Sequence, residues 1–219
     1  MLIRDCMTRH PILAPLTMHA SEAQAVMAEN NIRHLPVVKD GKRLAGLITR
    51  ECLQVKAETL GSLNVWEISR YLADQSVRDL MVKANDVITI TQDRTVERAA
   101  AVLTEHKIGC LPVVEEGNLV VGIVSEIDLL RSYQEMLGLP NEGVRVTIRM
   151  PNRHGEFVKL MAVLVEQNWG VMGIGTFPTR RQPDFYDAVI KIPNVTVEAV
   201  QAAFSTVANQ EIVDIRAVA

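Results

Sequence analysis

Short β-branched runs and longer amphipathic stretches alternate along this chain. Leu111-Pro112-Val113-Val114 and Leu119 to Val124 flank the turn Glu115-Glu116-Gly117-Asn118, which predicts two strands joined by a tight connection. The second run stops at Ser125, where a helical pattern begins. Upstream, Val96, Ala99, Ala100 and Leu103 fall at helical spacing and predict a helix over Val96 to His106. The same order occurs earlier, with Ala23, Val26 and Met27 as the helical face and Leu35-Pro36-Val37-Val38 as the strand. Short strands are expected at Ile12 to Ala14 and Val87 to Thr91. Leu63 to Leu72 reads as a connecting helix whose Val65, Trp66, Ile68 and Leu72 serve packing.

The pattern is an internal repeat. Arg4-Asp5-Cys6-Met7 returns as Arg78-Asp79-Leu80-Met81, and Glu29, Ile32, Gly41, Gly46 and Leu53 return as Glu105, Ile108, Gly117, Gly122 and Leu129. The offset grows by two residues across the loop Lys83 to Val87, where a duplicated fold tolerates an insertion.

Beyond the turn-rich Gly138 to Gly143 the pattern changes. Val144 to Met150 alternates as a strand. Gly155 to Asn168 predicts a helix with Phe157, Leu160, Met161, Leu164 and Val165 on one face. Val171 to Phe177 and Phe185 to Ile192 are expected strands around a loop that carries Arg180 and Arg181 at a solvated tip. A helix capped by Thr196 buries Val197, Val200, Phe204 and Val207, and Glu211 to Val218 closes as a strand. The order βαββαβ is a ferredoxin-like plan.

Bulk composition narrows the function. A chain of 219 residues, 48% apolar with formal net charge −3, suits two globular bodies and disfavours a nucleic-acid surface built on charge. No apolar run reaches the ~20 residues of a membrane span, and the N-terminus lacks a signal-peptide pattern, so a cytoplasmic location is expected. Cys6, Cys52 and Cys110 are far apart and in no metal-ligand spacing, which reads as three reduced thiols and no metal site. No phosphate-loop, nucleophile-elbow or zinc-protease motif occurs, so no catalytic residue is assigned and an enzyme is disfavoured.

Ser125 and Asp128 are the candidate chemistry. A hydroxyl and a carboxylate three residues apart at a helix start can serve a ligand: the carboxylate accepts from a ribose diol, and the first free amides favour a phosphate. The same Ser-x-x-acid pattern is also a capping box, in which the carboxylate bonds back to the cap. The residues alone leave both readings open.

Taken together, the lead-in, Leu-Pro-Val-Val and Gly-hydrophobic-x-Ser/Thr-x-x-Asp resemble the CBS domain, a β-α-β-β-α unit that occurs in tandem as a Bateman module. The resemblance spans roughly residues 1 to 137, divided as 1–74 with the connecting helix and 75–137. It implies two pseudo-symmetric clefts that in relatives hold AMP, ADP, ATP or S-adenosylmethionine as a regulatory ligand, with no cofactor required. One cleft would join Ser125 and Asp128 to His10, Pro11, Ile12, Arg33 and His34. The other, weaker cleft would join Thr49 to Val87, Ile88, Gly109 and Cys110, and Cys52 replaces the carboxylate there. Losing that carboxylate costs about 2 kcal/mol, roughly thirtyfold in affinity.

Residues 144–219 resemble an ACT domain, with Asn152-Arg153-His154-Gly155 at the first strand-to-helix turn. Relatives bind amino acids there between paired domains, so Asn152 and Gly155 are candidate ligand residues, against a purely dimerising role. The order CBS, CBS, ACT is similar to regulatory proteins of the acetoin-utilisation (AcuB) type. The expected fold class is therefore α/β (α+β): a tandem CBS pair followed by a ferredoxin-like ACT domain. The expected function is a homodimeric, non-catalytic sensor that passes the state of an adenosine-ligand cleft through Ser132 to Gly143 to the ACT pair or to a regulated partner. A ligand-free dimeric scaffold with vestigial clefts is the alternative.

Overall fold

The computed structural model describes residues 1–54 and 74–218; the helix expected over Leu63 to Leu72 lies outside them. The chain packs as two compact units, Met1–Leu129 and Leu130–Ala219.

In the first unit, each copy has a short lead-in helix and strand: α1 (Ile3–Cys6) with β1 (Thr8–Arg9), and α3 (Val77–Leu80) with β5 (Val82–Lys83). Copy one continues with β2 (Ala14–Pro15), α2 (Ala20–Glu29), β3 (His34–Lys39), β4 (Arg43–Thr49) and a 3-10 turn at Glu51–Leu53. Copy two continues with α4 (Val96–His106), β6 (Cys110–Glu115) and β7 (Leu119–Ser125), and then α5 (Glu126–Met136) begins. Thr95 caps α4 by accepting from the Arg98 amide at 3.2 Å, and the helix ends where Lys107 turns left-handed. The expected strand Val87 to Thr91 is reduced to a bridge between Ile90 and Val113, and that of Ile12 to Ala14 shifts to Ala14–Pro15.

The two copies exchange their lead-ins. Thr8 and Arg9 lie opposite Ile123 and Gly122 of copy two, while Leu47 and Gly46 of copy one lie opposite Val82 and Lys83. The cores follow that exchange. Val77 and Met81 pack with Ala23, Met27, Leu35 and Ile48, whereas Ile3 packs with Val96, Leu103, Leu111 and Val124. The repeated glycines make the exchange possible. A Cβ on Gly122 would sit 2.6 Å from the Met7 sulfur, and one on Gly46 would sit 2.5 Å from both the Met81 sulfur and the Val82 carbonyl. Leu44, Val114 and Val120 close the seam between copies, where Val120 donates to the Lys42 carbonyl at 2.9 Å.

The second unit is an antiparallel sheet in the order β11 (Glu211–Val218), β8 (Gly143–Pro151), β10 (Phe185–Ile192), β9 (Gly173–Pro178). Helices α6 (Glu156–Glu166) and α7 (Val197–Phe204) complete the βαββαβ order. Period-two alternation puts Val144, Val146, Ile148 and Met150 in one core with Ala188, Ile190, Ile192, Leu160 and Phe204. Thr196 caps α7 by accepting from the Ala199 amide at 3.2 Å. The face expected of α6 is corrected at one position: Val165 is 78% exposed and Val163 is buried instead. Helical spacing explains it, since Leu160, Val163 and Leu164 share one stripe and Val165 lies about 100° further round. Arg180 and Arg181 are exposed, as expected of a hairpin tip.

Candidate functional site

The corner at the start of α5 is built by the end of β7. Asp128 Oδ2 accepts from the Ser125 amide at 2.8 Å and from the Ser125 hydroxyl at 2.7 Å, and the Asp128 amide approaches the same hydroxyl at 3.4 Å. This is the capping box, and it fixes the carboxylate in one orientation, half-buried at the mouth of the helix. An ionised carboxylate accepts at about four lone-pair sites. Both of the cap bonds to Asp128 fall on Oδ2.

Copy one builds the twin corner with weaker parts. The Thr49 hydroxyl meets the Cys52 sulfur at 3.4 Å and the Cys52 amide at 3.4 Å. Glu51, beside Thr49, is exposed, and the Thr49 hydroxyl with its own backbone amide holds its carboxyl below the usual carboxylate range.

Of the residues expected to face the Ser125–Asp128 corner from copy one, Arg33 and His34 lie against copy two. Arg33 Nη2 lies 3.7 Å from Glu126 Oε2, next to Ser125, with both side chains about half exposed. His34 packs on Gly109, where a Cβ would meet its ring at 3.2 Å. Burial, then the Arg33 charge, pushes the His34 pKa down against the opposing pull of Glu51 and Glu126. The seam around these groups has matching backbone bonds, from the Arg50 amide to the Arg33 carbonyl at 3.0 Å and from the Glu126 amide to the Gly109 carbonyl at 3.1 Å. His10, Pro11 and Ile12 follow the exchanged strand β1, whose Thr8 and Arg9 lie opposite Ile123 and Gly122, and the chain turns at His10 with φ 51°.

The residues expected for the second cleft go mostly to packing. Val87 packs at the seam beside Leu44 and Val120, and Ile88 packs on the core of copy two. Cys110 is buried, and burial pushes its thiol up to about 12. In the second unit, Asn152 borders a hollow of about 320 Å³ with Arg153, Phe157 and Tyr186, and its amide donates to the Asp184 carbonyl at 2.7 Å. Gly155, at φ 87°, starts α6. Among the described residues, no group of three or more His, Cys, Asp or Glu side chains could hold a metal ion, and no helix is long and apolar enough to cross a membrane.

Glu126 escaped the sequence reading. Its signal is the residue after the Ser or Thr in each copy: Arg50 in copy one, Glu126 in copy two, opposite in charge at matching positions.

Comparison with known families settles the architecture of the first unit. The CBS-domain model matches residues 3–53 and 77–135. The chain belongs to the CBS-domain family. A crystal structure of the acetoin utilization protein AcuB from Vibrio cholerae is similar at 28% identity and TM-score 0.53, covering 64% of this chain and 94% of that one. The CBS domain pair of protein MJ0100, in complex with 5′-methylthioadenosine and S-adenosyl-L-methionine, is similar at 28% identity and TM-score 0.50, covering 61% of this chain and 95% of that one. Among curated relatives, L-aspartate semialdehyde sulfurtransferase of Methanocaldococcus jannaschii is 29% identical over 132 residues, 60% of this chain and 23% of that protein. The chain spans about a quarter of the curated relatives it matches first. As a CBS pair, the first unit is a regulatory module.

Proposed function

We propose that this protein is a non-catalytic sensor that binds an adenosine-containing ligand, AMP, ADP, ATP or S-adenosylmethionine, in the cleft of Ser125 and Asp128. The observation that carries the reading is the fixed Asp128 carboxylate at a helix start, with Arg33 of the other copy drawn to the adjacent Glu126. The carboxylate suits a ribose diol, the helix start suits a phosphate or carboxylate, and Arg33 suits the same anion. The Arg33–Glu126 pair is exposed and weak, so a ligand can compete for Arg33. His10, Pro11, Ile12 and His34 complete the cleft, while Thr49, Val87, Ile88 and Cys110 form a cleft that binds little or nothing. The methylthioadenosine and S-adenosylmethionine held by the MJ0100 pair support the ligand class.

Residues 144–219 act as an ACT-type dimerisation domain, with Asn152 and Gly155 at a turn open to an amino acid. Helix α5, which starts at the Asp128 corner, leads through Ser132 and the connector to Gly143 and so to this sheet. The assembly is a cytoplasmic homodimer that reports ligand state to a protein partner.

Mass spectrometry of the purified protein tests the reading, together with thermal-shift measurements in AMP, ATP, methylthioadenosine and S-adenosylmethionine. A ligand present at 100 times its dissociation constant adds about 2.7 kcal/mol of stability. A copurifying adenosine compound or a saturating upward shift is expected. No shift with any of them leaves the dimeric scaffold, whose clefts are vestigial.

A further inference from the structure

The face of the C-terminal sheet opposite its two helices holds an unassigned cavity. It measures about 420 Å³, within the range of about 300–1,000 Å³ typical of small-molecule sites. Leu137 and Leu139 of the connector, Phe177 and Val189 form its apolar lining, with Arg145 and Lys191 as the cations. The space exists because β9 offers only hydrogen at Gly173 and Gly175, where side chains would stand. The connector passes directly over Gly173, where a Cβ would lie 2.4 Å from the Leu137 carbonyl carbon. At Gly175 a Cβ would approach only the Leu137 side chain, at 3.6 Å.

Charge distinguishes this cavity from a simple packing defect. Three charged side chains are buried among the described residues: Glu156, Asp187 and Lys191. Glu156 is paired with Lys159 at 2.8 Å and Asp187 with Arg149 at 2.8 Å. Arg145, on the same face as Lys191, is neutralised by Asp214 at 3.0 Å. Lys191 is 2% exposed and donates to the carbonyl of Asn141, a neutral acceptor. Among the described residues it has no acidic partner. An ammonium has three donors and no acceptor, and burying one without an anion is costly.

We infer that the cavity between the connector and the open sheet face binds a small amphipathic carboxylate, its apolar body against Leu137, Leu139, Phe177 and Val189 and its head on Lys191. The inference is independent of the adenosine cleft and of the Asn152 turn, which lies at the other end of β8. Because Leu137 and Leu139 follow directly from α5, the ligand would touch the chain segment that joins the two units.

Titration calorimetry on the full chain tests this with octanoate as the probe and octylamine, of equal length and opposite charge, as the control. Octanoate should bind saturably and octylamine at least tenfold more weakly. Lys191→Met should lower octanoate affinity at least tenfold. Gly175→Val keeps the lysine and fills the cavity, so it should abolish octanoate binding even if the Lys191 variant fails to fold. Asp128→Ala should leave octanoate binding unchanged, which separates this site from the adenosine cleft. Equal affinity for octanoate and octylamine, or full octanoate binding by Gly175→Val, overturns the proposal. So does an absence of octanoate binding by the unaltered chain; a Gly175→Val shift in oligomeric state by sedimentation would then show that a second copy covers this face.

Discussion

The two halves of the repeat share a backbone plan and differ in what stands at its corners. At the end of β7, serine and aspartate lock each other with bonds of 2.7 and 2.8 Å; at the end of β4, threonine and cysteine meet at 3.4 Å. Arg33 faces Glu126 across the seam, whereas the matching pair in the other direction is Gly109 and Arg50, which cannot form an ion pair. Exchange of lead-ins and the glycine contacts hold the scaffold symmetric. Side chains at a handful of positions then make the symmetry unequal. Duplication preserves packing, and function can reside in one copy.

The largest expected effect concerns the symmetric part. Adding a methyl at Gly46 or Gly122 drives it into the exchanged lead-in, and overpacking of this kind costs roughly 1–3 kcal/mol. Gly46→Ala should be the worse of the two, because its Cβ meets backbone, the Val82 carbonyl, at 2.5 Å, while the nearest backbone at Gly122 is the Thr8 carbonyl at 3.1 Å. Urea denaturation of both variants checks the order, and a milder Gly46→Ala would break the account of the exchange.

A smaller effect separates the corners. Ser125→Ala removes a formed cap and should cost about 1 kcal/mol. Thr49→Ala removes longer contacts and should cost less than half of that in the same denaturation series. Equal losses would mean that the corners are alike in strength.

The smallest effect is on pH. His34 titrates below its ordinary value of about 6.5 because burial and Arg33 disfavour its charged form. The unfolded chain therefore takes up the proton first as pH falls, and stability declines from about pH 6.5 downward until the folded form also protonates. His34→Asn should flatten that part of the stability curve, leaving pH 7.5 to 8.5 unchanged. Thermal melts from pH 5 to 8.5 show whether it does; an unchanged slope would place the dependence on another group.

Much of this was legible in the residues. The repeat, helix α4 from Val96 to His106, strand β10 and the βαββαβ order of the last third all follow from local periodicity, which needs no knowledge of partners. The exchanged lead-ins did not follow. Each is a two-residue strand with exposed side chains, so no alternation marks it, and its partner is over a hundred residues away for β1. The recurring Met7, Met81, Gly46 and Gly122 were visible as a repeat, but their meaning as knob and notch required the fold. Glu126 was hidden for a related reason: a charge on an exposed helix start looks solvated until the opposite copy supplies Arg33. At Ser125 and Asp128 the pattern permitted a cap or a ligand site, and the structure displays the cap.

Calorimetric titration of Asp128→Ala and Thr49→Ala with the adenosine compound that shifts the wild-type melting temperature most tests the central claim. The account predicts a loss of roughly thirtyfold or more for Asp128→Ala, about 2 kcal/mol, and less than twofold for Thr49→Ala. Equal losses, or a larger one at Thr49, would contradict a single working cleft.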